Sequence, residues 1–278
     1  PATKPGEPDV VSGAAGATLA FLALARLTGD EHFLAEAVAL GEHLITAARR
    51  DATAMWWPVA TPAGRRALTG FAHGAAGIAT ALLALFAATG EPRFAAAARA
   101  AFVFESRNFS ARRGNWLDLR YPVIGPRDGP AALASSVWCH GAGGIALSRL
   151  TAWRVLGDDA YLREARLAIQ TTTAWLESAP ATAAERWSLC HGLPGNADIL
   201  LSAANLLPEQ AARLRSLATR AGDVGLAAVA ADQPSPAPIS ADEPGLMLGL
   251  AGLGYFYLRL ARPDTPSILL PLPEQLGR

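Results

Sequence analysis

Two tripeptides in this chain read Cys-His-Gly: Cys139-His140-Gly141 and Cys190-His191-Gly192. They hold both cysteines of the sequence and two of its five histidines. Two thiolates with one or two imidazoles make a good zinc set. With two Cys and one His, the fourth tetrahedral position stays open, which is the pattern of a catalytic site. A small structural finger would instead carry close Cys-x-x-Cys pairs. Free cysteine is also a common small apolar core residue, but two such residues would have no reason to share a following His-Gly. A third histidine, His73, stands in Ala72-His73-Gly74, and Asp9 precedes Val10-Val11-Ser12-Gly13. Taken alone these two are weaker signals, since histidine at a helix start is often structural and aspartate there is an ordinary cap. His32 and His43 fall on an amphipathic stretch and read as surface or boundary residues.

The elements that must position these groups repeat along the chain. Five segments carry Gly-x-x-Gly before an apolar helix pattern, beginning at Gly13, Gly74, Gly141, Gly192 and Gly249. After the first helix of a unit comes a turn, as at Leu27-Thr28-Gly29-Asp30, Ala88-Thr89-Gly90-Glu91 and Leu156-Gly157-Asp158-Asp159. Glycine there supplies the left-handed residue that ends a helix. A second helix pattern follows, with apolar residues every three or four positions and charges between. Each unit therefore reads as a helical hairpin, and self-similarity of this kind marks a repeat architecture. The expected fold is all-α: an α/α toroid of hairpins, with an open solenoid as the alternative. Either arrangement brings equivalent positions together, so Asp9, His73, Cys139, His140, Cys190 and His191 converge at one end. Little sheet is expected beyond a short hairpin. Residues 107–130 read as a polar, turn-rich linker, and residues 232–244, with four prolines, as a surface loop.

Composition sets limits. With 51% hydrophobic and 17% charged residues, a large core is possible and disorder is not expected. Lys and Arg (24) balance Asp and Glu (24), which argues against a nucleic-acid binder. The first residues lack a basic start and apolar run, so a cytoplasmic protein with reduced thiols is expected. The run from Ala67 to Gly90 has no charged side chain, yet glycines and His73 interrupt it. A helix buried all round by protein accounts for it without a membrane span.

The chain resembles the lanthionine synthetase C-like (LanC-like) family. The resemblance rests on Ser12-Gly-Ala-Ala-Gly16, Ala72-His-Gly74, Trp138-Cys-His-Gly141, Cys190-His-Gly-Leu-Pro-Gly-Asn-Ala-Asp198 and Gly245-Leu-Met-Leu-Gly-Leu-Ala-Gly-Leu-Gly-Tyr255. Two further pieces, Asn115-Trp-Leu-Asp-Leu-Arg120 and Pro266-Ser-Ile-Leu-Leu270, resemble the cyclase half of class II synthetases. The resemblance implies a toroid with zinc at its mouth, ligated by Cys139, Cys190 and His191. It places His73 as a proton donor or acceptor and includes Asp9 in the site. His140 is a spare candidate for acid/base work. Stand-alone cyclases often carry a basic residue one turn before the first cysteine, where this chain has Ser135.

The implied activity is a lanthipeptide cyclase. A peptide cysteine thiolate adds to dehydroalanine or dehydrobutyrine in a dehydrated precursor peptide. The implied partner is a dehydratase domain or enzyme upstream. Two alternatives are a LanC-like zinc protein that adds glutathione or another thiol to modified proteins, and a non-catalytic peptide-binding toroid. A glycosidase would need paired carboxylates at the mouth, and only Asp9 and Asp198 lie near the motifs. The whole of 1–278 reads as one cyclase domain. The family's toroid has seven hairpins and five are counted here, so the domain is expected to be incomplete at its N-terminus. Its edge helices would then expose apolar faces.

Overall fold

The computed structural model describes residues 6–121, 134–178, 187–230 and 243–270. Four helical hairpins follow one another: α1 (Ala14–Thr28) with α2 (Glu31–Ala47), α3 (Ala75–Thr89) with α4 (Pro92–Arg107), α5 (Ala142–Leu156) with α6 (Asp159–Ser178), and α7 (Leu193–Leu206) with α8 (Ala211–Ala230). The fifth unit is represented by its inner helix, α9 (Leu250–Ala261). The odd-numbered helices pack side by side in chain order, and each even-numbered helix covers its own partner. The result is an arc of inner helices with an outer layer, the α/α arrangement expected from the repeat. Among the described residues, α1 and α9 are not one of the closely packed helix pairs.

The two layers differ as their sequences demand. The middle inner helices are buried on every side: Ala75–Leu85 of α3, Ala142–Ala152 of α5 and Leu193–Ala204 of α7 are buried without a break. This accounts for the charge-free run, because α3 is sheathed in protein and needs no polar face. At 15 residues it is also too short to span a bilayer. No helix among the described residues is long and apolar enough to cross a membrane. The outer α4 is amphipathic and turns Phe94, Ala98, Ala101, Phe102 and Glu105 inward at helical spacing. At the two ends of the arc the sheathing fails. Leu24 and Leu27 of α1 and Leu250 and Leu258 of α9 are exposed.

The repeat glycines have a steric explanation. The first glycine of each motif, Gly13, Gly74, Gly141, Gly192 or Gly249, is the N-cap of an inner helix. The second sits under a carbonyl of the preceding loop. A Cβ at Gly16, Gly77, Gly144, Gly195 or Gly252 would lie 1.9–2.0 Å from the carbonyl oxygen six residues earlier. Only a residue without a side chain lets the loop fold back this tightly. Gly141 carries a further constraint, with φ of +78° and a Cβ position 1.5 Å from the Ser135 carbonyl oxygen. The expected helix stops also hold. Gly29, Gly90 and Gly157 are left-handed, and their N–H groups return to Ala25, Phe86 and Trp153.

Three two-stranded antiparallel ladders occur where at most one was expected. They pair β1 (Arg49–Arg50) with β2 (Met55–Trp56), β3 (Pro58–Thr61) with β4 (Gly64–Ala67), and β5 (Phe109–Ser110) with β6 (Asn115–Trp116). The third lies inside the supposed linker 107–130. That segment buries Asn115, Trp116, Leu117 and Asp118, so its described part belongs to the body of the protein. Of the proline-rich loop 232–244, residues 232–242 lie outside the described residues.

Candidate metal centre

The loops that precede the inner helices are stitched together through their backbones. Val10 N–H donates to Ala72 carbonyl at 3.0 Å, Ala72 N–H to Cys139 carbonyl at 3.3 Å, Cys139 N–H to Cys190 carbonyl at 3.4 Å, and Cys190 N–H to Met247 carbonyl at 3.0 Å. Ala72, Cys139, Cys190 and Met247 each stand two residues before the first glycine of their unit, and Val11, at that place in the first unit, donates to the same Ala72 carbonyl at 3.3 Å. The stitch makes the two cysteines immediate neighbours although half a hundred residues of chain separate them. Their ligand atoms and a ring nitrogen of His191 lie within 4.8 Å of one another. Among the described residues this is the one group of three or more such side chains that could share a metal ion.

The donor set fits zinc. Two sulfur ligands on a tetrahedral ion with bonds of about 2.3 Å stand roughly 3.8 Å apart, so the three donors need move little. Both cysteines are free thiols. They are also electrostatically prepared. A hydrogen bond from Cys190 lowers the Cys139 pKa to about 4 against the effect of burial, with help from His191 and the charge of His140. The same bond raises Cys190, which keeps the shared proton. The pair is thus disposed to share one proton, with the charge favoured on Cys139. Cys139 is buried, Cys190 half-buried and His191 exposed, so the cluster opens toward solvent on the His191 side.

A second cluster sits beside the first. His73 Nδ1 lies 2.6 Å from Asp9 Oδ2. A carboxylate can only accept, so Nδ1 carries the hydrogen. Asp9 is buried and is held by Ser12, whose N–H donates to Oδ1 at 2.8 Å. Burial pushes the Asp9 carboxyl up, but the bonds from His73 and Ser12 outweigh it and leave it below its usual range. The bond to Asp9 in turn raises His73 above 6.5. His140 stacks on His73 with ring centroids 6.0 Å apart. It is buried, and burial lowers its pKa where the bond to Asp9 raises that of His73. Asp9, His73 and His140 therefore share one locus with the Cys139–Cys190–His191 cluster. Asp198 does not. It is buried in an ion pair with Arg259 and accepts from Ser267 Oγ at 2.6 Å, so it braces helices. His32 and His43 lie on α2, away from the cluster.

Three supporting residues carry roles that the sequence does not announce, and two of them, Asn115 and Asp118, fall in the piece Asn115–Arg120 already noted for its resemblance. Asn115 Oδ1 accepts from Ala142 N–H at 2.9 Å, and its Nδ2 donates to Ser135 carbonyl at 3.1 Å, which ties β6 to the start of α5. Asp118 grips Arg120 at the edge of the site. Glu105, from the outer α4, reaches under the His73 loop, where Oε1 accepts from Gly70 N–H at 3.1 Å and Ala76 N–H at 2.8 Å. Only a glutamate at an inward position of an amphipathic helix signals this role, and such a residue is easily taken for surface.

Burial pushes the Glu105 carboxyl up to about 8 against the pull of Arg149 and the two N–H bonds. In the unfolded chain it titrates near 4.5. Between those values the native state holds a proton the unfolded state has released, so stability is full below 4.5 and falls as pH rises to about 8. Glu105→Gln keeps the accepting oxygen without the titration. From about pH 5 to about pH 8 it is expected to lose less stability than wild type, by on the order of 1–4 kcal/mol. Urea unfolding of the metal-free proteins measures this, and equal pH slopes would remove the role assigned to Glu105.

Comparison with known proteins decides the family. The family model for lanthionine synthetase C-like protein matches residues 2–271. The chain belongs to the LanC-like family. Among solved structures, nisin cyclase superposes with a TM-score of 0.64 at 14% identity, covering 94% of this chain and 64% of that chain. At that identity the likeness speaks for the LanC-like fold. The chain spans just under two thirds of the nisin cyclase chain. No curated protein matches the sequence.

Proposed function

We propose that this LanC-like chain is a zinc-dependent lanthipeptide cyclase, with Cys139, Cys190 and His191 as ligands. The observation that carries the reading is the meeting of a Cys-Cys-His cluster with the Asp9–His73 pair at one end of the inner helices. Zinc held there supplies the charge that makes a bound peptide thiol a thiolate at neutral pH. The residues of this chain do the rest. Cys139, Cys190 and His191 would hold the ion with three donors, and a fourth could come from substrate. Asp9 holds His73 protonated and oriented, and His73 presents its proton from the half-exposed face of the site. Addition of the thiolate to the β-carbon of a dehydroalanine or dehydrobutyrine leaves an enolate, and His73 protonates its α-carbon. His140 shapes the wall against which His73 stacks.

A cleft of 450 Å3 lined by Arg120, Ser135, Val137, Cys139, Trp175 and His191 leads to the ligands. It adjoins a wider depression of 780 Å3 through Ala134, Ser136 and Trp175. An open trough of this kind suits a peptide segment better than an enclosed small molecule. In this reading the substrate is a precursor peptide already dehydrated by a dehydratase domain or enzyme.

A synthetic peptide with one dehydroalanine and one cysteine tests the reading. With zinc-loaded protein, one thiol per peptide is expected to disappear without a change in peptide mass. A peptide mass increased by one glutathione, in a mixture that supplies it, would point to the intermolecular reaction instead. Loss of no thiol with a fully zinc-loaded chain would overturn the proposal.

A further inference from the structure

Ring closure puts negative charge on an atom that neither the thiolate site nor His73 attends to. As sulfur bonds to the β-carbon, the π electrons of the C=C bond move onto the carbonyl oxygen of the dehydro residue. That oxygen returns to a carbonyl once the α-carbon takes its proton. No group leaves and nothing is oxidised, so the developing oxyanion is the one charge that calls for a partner. Ser135, before the first cysteine, is neutral and offers no cation.

We propose that Arg120 is a catalytic residue of this reaction: its guanidinium receives the carbonyl oxygen of the dehydro residue and stabilises the enolate. This inference rests on the cyclase reading above.

The placement carries it. Arg120 lines the same cleft as Cys139 and His191, and its side chain is partly exposed to that cleft. One edge of the guanidinium is committed, with Nε donating to Asp118 Oδ1 at 3.0 Å and Nη2 to Asp118 Oδ2 at 2.6 Å. Among the described residues Nη1 has no hydrogen-bond acceptor, so a donor is left for an incoming oxygen. Asp118 is itself buried and fixed, because Ser135 Oγ donates to its Oδ2 at 3.1 Å. The backbone beneath is tied down as well, with Thr69 Oγ1 donating to Leu117 carbonyl at 2.6 Å and Arg66 Nε to Leu119 carbonyl at 2.9 Å. The donor is thus oriented before substrate arrives, the condition under which such a group lowers a barrier most. Its charge also acts on the site: it opposes protonation of His73 and His140, and Cys139 favours its charged form. Ser135 serves here by bracing Asp118, and Asp118 by aiming Arg120.

The test uses the full chain loaded with zinc and the dehydroalanine peptide. Arg120→Ala is expected to lower kcat on the order of 10²–10³-fold, with zinc content and binding of a saturated peptide analogue near wild type. Arg120→Lys keeps charge without the fork and should fall between the two. Millimolar guanidinium chloride is expected to restore part of the rate to Arg120→Ala, and urea at the same concentration is not. A wild type that closes rings beside an Arg120→Ala variant of equal kcat would overturn the role of Arg120 alone. Loss of peptide binding with kcat unchanged would overturn it too, by making Arg120 a docking residue. A zinc-loaded wild type that closes no ring overturns the cyclase reading and this inference with it. Should the alanine variant lose zinc or fold, the lysine variant decides: wild-type kcat there overturns the proposal, and a reduced kcat with zinc retained supports it.

Discussion

Cys139→Ala is expected to bind no stoichiometric zinc and to close no ring. Cys139 is the cysteine on which the charge is favoured, since the bond from Cys190 lowers its pKa to about 4. Without it the cluster keeps one thiol and one exposed imidazole, which is too little to hold zinc against water and buffer. Structural zinc sites draw roughly 10–16 kcal/mol from about four ligands. Losing one strong ligand of three therefore weakens binding by several orders of magnitude. The cost to the apo fold should be small by comparison. The side chain is small, and the stitch from Cys139 N–H to Cys190 carbonyl needs no thiol. Elemental analysis after dialysis, with thermal melting of the metal-free proteins beside it, separates the two effects. Wild-type zinc content in the variant would remove Cys139 from the ligand set.

His73→Ala is expected to keep zinc and to slow ring closure on the order of 10²–10⁴-fold. The imidazole is not a ligand in this arrangement, so metal content should not follow the rate. The pH profile carries a finer signature. Asp9 raises the His73 pKa above its ordinary value, so the acid form persists to higher pH than in a free imidazole and kcat should fall only as pH passes that raised value. Asp9→Asn removes the main cause of the rise. It should move the alkaline limb to lower pH and leave the plateau less affected than His73→Ala does. Identical pH profiles for wild type and Asp9→Asn, or a wild-type rate for His73→Ala, would pass the proton transfer to His140 or to solvent.

Much of this was legible in the sequence for one physical reason. A helical repeat converts spacing along the chain into adjacency in space, so groups before equivalent glycines had to meet. Gly13, Gly74, Gly141, Gly192 and Gly249 are indeed five equivalent N-caps. What stayed hidden lies between the repeats. The segment from Phe109 to Arg120 looks like a linker because it is polar and rich in turn formers, yet Asn115 and Asp118 are polar for the sake of buried partners. Periodicity says nothing about such residues, since their positions follow from a single contact and not from a pattern. The turn of the fourth unit lacks the signal that marks the first three. There α7 ends at Leu206 with Leu207 as its C-cap, without the left-handed glycine that stops α1, α3 and α5. Glu105 was missed because an acid that serves as a backbone clamp has the same one-letter code as one that serves solubility.

The stitch that joins the five loops is made of peptide groups alone. The residues along it are Val10, Ala72, Cys139, Cys190 and Met247, five positions with four kinds of side chain between them. The frame therefore asks for a backbone at that register and is indifferent to what hangs from it. A duplicated hairpin inherits its place in the frame at once, and its reagent can then change one residue at a time without loosening its neighbours. Thiolates in two of the five units are one setting of an interchangeable set. The scaffold holds a blank position in each of the others.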